Sequence, residues 1–292
     1  MNADKIVNTF ATVTLVEMMV TIGLGVKLAD VVGVARDLRL VARAAAANYL
    51  VVPAAAVLLL LWFRTPPMAA VGLLVAAVCA GAPYGPPFTS MAKGNVIVSV
   101  GLMVILAGTS AIVAPVLLRL LVPVVAGNQP VDVDAGTMVG ALVLSQLLPL
   151  CIGLSLRHRK PKLADRIERP LSRLSVALNL LLLGFVLAVQ FRMLAKIRLT
   201  GYAGMLALVA SSVIAGWVFG GRHADIRKSM VFATSVRNVG VSLVIASASF
   251  PDTPAVAAAT AYAVFQTVVT AAVAAVWGTS TSSTNARSTK AA

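Results

Sequence analysis

Apolar residues run along this chain in long, nearly unbroken stretches, not in the alternation of a half-buried strand or the single stripe of a surface helix. About 20 mainly apolar residues are needed for a helix to cross a hydrocarbon core of about 30 Å. Nine stretches meet that length, near Ile6–Leu28, Val41–Phe63, Met68–Met91, Val96–Val122, Gly136–Leu156, Leu171–Phe191, Thr200–Phe219, Ser229–Phe250 and Pro254–Trp277. In lipid every backbone N–H and C=O must be paired internally, so only helices and closed barrels span, and continuous runs select helices. The expected fold class is an all-α polytopic membrane protein of nine transmembrane helices. It forms one domain, residues 1–277, followed by a Ser/Thr-rich stretch, 278–292, with the composition of a disordered cytoplasmic tail.

Composition supports that class. Of 292 residues 59% are hydrophobic and 12% charged, about half the charge of a soluble domain. So few polar groups cannot cover a water-soluble surface, which excludes a globular enzyme, a disordered chain and a nucleic-acid-binding domain. The net charge of +14 follows from topology. With the N-terminus outside, seventeen of the 24 cations fall on inward segments, among them the block Arg157, Arg159, Lys160, Lys162, Arg166, Arg169 and Arg173, and six fall outside. That bias predicts an outer N-terminus and a cytoplasmic C-terminus, and the location expected for the chain is a bacterial inner (plasma) membrane. The basic block joins the two halves of the chain and can also meet anionic lipid headgroups. No cleavable signal peptide is expected. Cys79 and Cys151 lie in apolar runs, and His158 and His223 lie in basic loops without a ligand neighbour. No disulfide framework, metal site, cofactor or enzymatic pair at membrane depth is expected.

Two stretches break the apolar rule. Cys79–Phe88 holds three prolines and two glycines, which a regular helix cannot absorb. Ala233–Gly240 places Arg237 among small polar residues, glycine and valine. One interruption in each half of a membrane protein points to a transporter's binding site, because broken helices expose N–H and C=O ends at depth. Arg237 is the sharpest residue: a mid-span guanidinium costs roughly 2.5–3.5 kcal/mol on insertion scales and needs a partner or a substrate. Glu17 is the second charge at depth. Three readings stand for it: a partner for Arg237, a protonatable coupling group, or a neutral acid held by a backbone carbonyl. Asn179, Ser145 and Gln146 read as interhelical glue.

The interrupted segments resemble the crossover helices of the bile acid:sodium symporter family. Cys79-Ala80-Gly81 through Ala92-Lys93-Gly94-Asn95, Val98-Ser99-Val100 and Ala114-Pro115 is similar to that family's C-P-G-G…A-R-G-D…L-S-V…T-P stretch. Ala233…Arg237-Asn238 with Gly240 and Leu243 resembles E-x-G-x-Q-N, and Gly23–Leu28 resembles G-M-G-L-x-L. The likeness runs from about Ile22 to Trp277. It implies a nine-helix form with a panel domain and a core domain of two inverted repeats, crossing near residues 79–94 and 231–243.

Departures from the family pattern carry the functional expectation. Positions of one sodium site read Gly85, Pro86, Ser99, Met103 and Ala233, and those of the second read Ala233, Arg237 and Asn48. A hard cation needs several oxygen ligands, and a guanidinium has none, so sodium coupling is not expected. The resemblance puts Asn238, Thr267 beside Gln266, and Pro83 at substrate-binding positions. Together these imply a secondary transporter of a small organic anion, with Arg237 attracting the substrate and holding the vacated ion site, and Glu17 a candidate for proton coupling. The alternative is a non-transporting sensor or scaffold in which Arg237 and Glu17 form a locking ion pair. No oligomeric state is implied.

Overall fold

The computed structural model describes residues 3–127, 134–194, 197–251 and 253–289, and among them the chain is helical with no strand. Helix α1 (Ala3–Gly25) stops short of Leu28, and α2 (Leu28–Arg36) leaves it at 85°. Asp37 caps α3 (Leu38–Ala46), its carboxylate accepting from the Leu40 N–H at 3.0 Å. A π-helical turn, Ala47–Val51, then leads into α4 (Val52–Trp62). Proline explains that widened turn: Pro53 has no N–H for the Tyr49 carbonyl four residues back, so the ladder shifts by one residue.

The third apolar stretch is split into α5 (Pro67–Val78) and α6 (Gly85–Met91), and α7 (Val96–Ala126) follows. Helix α8 (Ala135–Leu142) passes through a second π-helical turn, Val143–Leu147, into α9 (Leu148–Arg159), with Pro149 placed as Pro53 is. Asp134 caps α8 by accepting from the Gly136 and Thr137 N–H groups, and hydrogen bonds from Thr137 hold its carboxyl below the usual range. Then come α10 (Pro161–Leu194), α11 (Leu199–Phe219), α12 (Ala224–Ser235), α13 (Val239–Ser249) and α14 (Pro254–Thr289). An exposed Arg157–Asp165 ion pair ties α9 to α10; at a surface such a pair contributes little.

Six helical runs among the described residues are long and apolar enough to cross a membrane, or seven with the bent α1–α2 pair counted as one. Of the other expected spans, Met68–Met91 is divided between α5 and α6. Leu171–Phe191 lies within α10, some of whose side chains fall outside the described residues. The stretch expected to be a tail begins inside α14 and ends outside the described residues. Large apolar side chains such as Leu58, Leu61, Trp62, Leu120, Ile214 and Val218 face outward, while Asn48, Gln146, Arg237, Asn238 and Gln266 are buried. That inversion suits a lipid solvent: this is an integral membrane protein.

Small residues set the packing. A Cβ on Gly23 would lie 2.5 Å from the Leu150 carbonyl oxygen, and one on Gly153 would lie 2.3 Å from that of Val20, so α1 and α9 cross backbone to backbone. Likewise α5 meets α14 at Gly72, where a Cβ would fall 2.1 Å from the Ala255 oxygen. Helix α1 packs on α9 and α10 and touches α13, and α11 packs on α12 and α4.

Candidate functional site

Both sequence interruptions are breaks in helices, and they meet. Helix α5 ends at Val78 and α6 begins at Gly85. Only residues 79–84 are irregular, because Pro86 and Pro87 sit in the first turn of α6, where no intrahelical N–H is required. Helix α12 ends at Ser235 and α13 starts at Val239. Asn238 joins the two breaks: its N–H donates to the Cys79 carbonyl at 2.9 Å and its Nδ2 to the Gly81 carbonyl at 3.3 Å. Its Oδ1 accepts from the Val241 N–H at 3.3 Å, so one side chain also caps α13.

Arg237 lies inside this crossing, 1% exposed. Its Nη1 donates to Asn48 Oδ1 at 2.9 Å, and Asn48 Nδ2 donates back to the Ala44 carbonyl at 2.9 Å and to Thr234 Oγ1 at 3.4 Å. The π-helical turn before Pro53 is what carries Asn48 to this position. Gln266, on α14, brackets the Arg237 peptide. Its Oε1 accepts from the Arg237 N–H and its Nε2 donates to the Arg237 carbonyl, each at 3.1 Å. Two main-chain groups that a helix break would leave unpaired in a dry interior are thereby satisfied. We expect Gln266→Leu to orphan both and to destabilise the protein by about 2–5 kcal/mol, measured as loss of melting temperature in detergent. An unchanged melting temperature would mean that the clamp is not formed.

Side chains at the positions matched to sodium ligands offer few oxygens. Gly85, Pro86, Met103, Ala233 and Arg237 have none. The Asn48 oxygen is occupied by Arg237, and Ser99 Oγ accepts a bond from Thr89 Oγ1 at 2.9 Å. Thr89 Oγ1 also reaches the Gly85 carbonyl at 2.9 Å. This threonine was not among the candidates. Its only sequence signal is its place ten residues before Ser99, across the turn between α6 and α7.

Beside the crossing is a cavity of about 270 Å³ between α1, α10, α7 and the irregular segment 79–84. Pro83, Tyr84, Pro86 and Met103 line it from one side, and Thr21, Glu168, Ser175 and Asn179 from the other. Of the expected substrate positions Pro83 lines this cavity, whereas Arg237, Asn238, Gln266 and Thr267 do not. Thr267 donates to the Ala263 carbonyl of its own helix at 2.7 Å.

Glu17 stands behind the cavity wall. Ser175 Oγ donates to both carboxylate oxygens, at 2.9 and 2.7 Å, and Thr21 Oγ1 donates to one at 2.9 Å. Its partners are therefore hydroxyls, and it forms no ion pair with Arg237. Two polar rows face each other here: Glu17 and Thr21 on α1, and Glu168, Ser172, Ser175 and Asn179 on α10. The spacing of four, three and four residues on α10 is a helical stripe, a sequence signal that was available and unused. Gln146 donates from Nε2 to the Ala107 carbonyl and Asn179 from Nδ2 to the Ser175 carbonyl at 2.8 Å.

A family model described as the sodium bile acid symporter family matches residues 12–197. That range contains the first helix break and ends before the second. Two chloroplastic proteins of rice, from Oryza sativa subspecies indica and japonica, are each named a probable sodium/metabolite cotransporter BASS5. Each is 26% identical to this chain over 201 residues, covering 65% of this chain and 48% of the relative. The chain thus spans about half the length of these curated relatives.

Proposed function

Because this chain belongs to the sodium bile acid symporter family, we propose that it is a secondary transporter of a small organic anion that works without sodium. Substrate enters the cavity beside residues 79–84, and the paired breaks hold the crossing around which the two sides open in turn. The observation that carries the reading is the guanidinium of Arg237 on Asn48 Oδ1. A permanent cation there repels a second one and supplies no acceptor. Arg237 acts in this reading as the fixed charge of the vacated ion site, and the cavity walls hold the substrate. The rice relatives carry sodium in their names; this chain departs from them at that step. The organic-anion class is supported by the family name and by the basic inner segments that concentrate anions at that face.

Proton coupling through Glu17 has an observation of its own. Thr21 and Ser175 both bond this carboxylate and both line the cavity, so one hydroxyl separates it from substrate.

A thermal-shift screen of the purified protein against organic anions, followed by uptake into proteoliposomes, tests the function. We expect uptake to be unchanged when Na⁺ is replaced by a large inert cation and to follow an inward pH gradient, with Glu17→Gln losing the gradient response. Uptake that falls steeply without Na⁺ would overturn the proposal, and so would a screen in which no anion stabilises the fold.

A further inference from the structure

The reading of Arg237 as a permanent charge leaves that charge without a counter-ion among the described residues. Its Nη1 has a neutral partner, Asn48. Its Nε and Nη2 are buried and have no hydrogen-bond acceptor. Arginine does not lose its proton inside proteins, so the charge cannot be removed by titration. Glu17, the acid at depth, is bonded to Thr21 and Ser175 instead. An unpaired ion in such a place costs several kcal/mol, more than a helix break can conceal.

The side chains shown beside the guanidinium carry no formal charge. Tyr49, Cys79 and Tyr262 are within electrostatic reach of it. Tyr262 lies one turn before Gln266 on α14, and Gln266 clamps the Arg237 peptide, so this face of α14 is turned toward the arginine. The Tyr262 hydroxyl is buried beside Ser212. Two residues before Arg237, the Ser235 hydroxyl is also buried and unpartnered. Two free N–H donors on one buried positive charge are the complement of an anion.

We propose that the crossing binds a monovalent inorganic anion, a halide such as chloride, on Nε and Nη2 of Arg237. A halide balances one charge and imposes no fixed ligand geometry. The organic substrate is not this ion, because Arg237 does not line the cavity beside residues 79–84. The proposal rests on the permanent-cation reading above and adds to it: in place of a bound metal cation this chain holds an arginine with its own anion.

Melting of the full-length protein in uncharged detergent tests it, with potassium gluconate exchanged for potassium chloride or bromide at constant ionic strength. We expect a saturable rise of about 3–6 °C at ten times the dissociation constant. Arg237→Gln should abolish the rise. Asn48→Asp should abolish it too while raising the halide-free melting temperature, because the new carboxylate supplies the missing charge. Bromide should give an anomalous-scattering peak beside Arg237 Nη2. A melting temperature indifferent to halide, an equal rise in both variants, or a bromide map empty at Arg237 would overturn the proposal and leave water as the acceptor. If Arg237→Gln does not fold, Asn48→Asp and the bromide map decide. Exchanging sodium gluconate for potassium gluconate tests the sodium-free reading separately, so the two can fail independently.

Discussion

Gly81→Ala should abolish recovery of folded protein. Gly81 has φ +80°, in the left-handed region, and an added Cβ would lie 2.2 Å from the Ala107 nitrogen and 2.5 Å from its Cα. Those are main-chain atoms of α7, which cannot rotate away as a side-chain tip would. Relief requires shifting the 79–84 break off α7. That also breaks the bond from Asn238 Nδ2 to the Gly81 carbonyl, one of the two ties to the second break. Left-handed strain, overpacking and a lost polar tie together amount to roughly 4 kcal/mol or more, a large share of the 5–15 kcal/mol that holds most folds. Gly127→Ala is the matched control. Gly127 also has a positive φ, +60°, but among the described residues an added Cβ meets nothing within 4 Å, so the expected cost is the backbone strain of about 1–3 kcal/mol. Membrane yield, monodispersity and melting temperature measure both. Similar losses in the two variants would show that contact with α7 is not what holds the first break.

Asn48→Leu should be the most damaging exchange in the polar cluster and should be repaired by a second one. On its own it removes the one hydrogen-bonded side-chain partner of a guanidinium that is 1% exposed. Leaving a buried charged donor without its acceptor costs more than the roughly 1–3 kcal/mol of a neutral group. Arg237→Leu should cost less, about 1–3 kcal/mol, because it removes the charge and leaves only the Asn48 oxygen unsatisfied. The double variant should recover most of the stability lost in Asn48→Leu, since two apolar side chains replace the buried polar pair. Melting temperatures of the two single variants and the double variant form a cycle whose coupling term is the measurement. Additive losses would mean that Arg237 draws its stabilisation from elsewhere. Transport should be lost in every variant lacking Arg237, including those that fold.

Much of the architecture was legible in one dimension. Long apolar runs announced the helices, and proline and glycine at 79–88 and the small polar cluster at 233–240 marked both breaks. Length and hydropathy read less well at the ends: α1 stops at Gly25 and turns 85° into α2, although apolar residues continue. Pro86 and Pro87 looked like part of a break and instead begin α6, because proline obstructs a helix only where an N–H is needed. Asn48 and Gln146 each precede a proline, and that pairing, visible in the sequence, became meaningful once both were found in π-helical turns.

Membership of a lipid-dissolved helical class was decided by the sequence alone, since hydropathy sums over neighbours along the chain and needs no knowledge of the fold. The same holds for Arg237 being costly and therefore held by something. Which group holds it was decided by the tertiary structure: Asn48 and Gln266 arrive from 189 and 29 residues away, and Glu17 turns to Ser175, 158 residues distant. Charges at depth attract any suitable partner equally on paper. Only helix packing sets which of them comes within 3 Å, and hydrogen bonding in a dry interior is too short-ranged to be read from spacing.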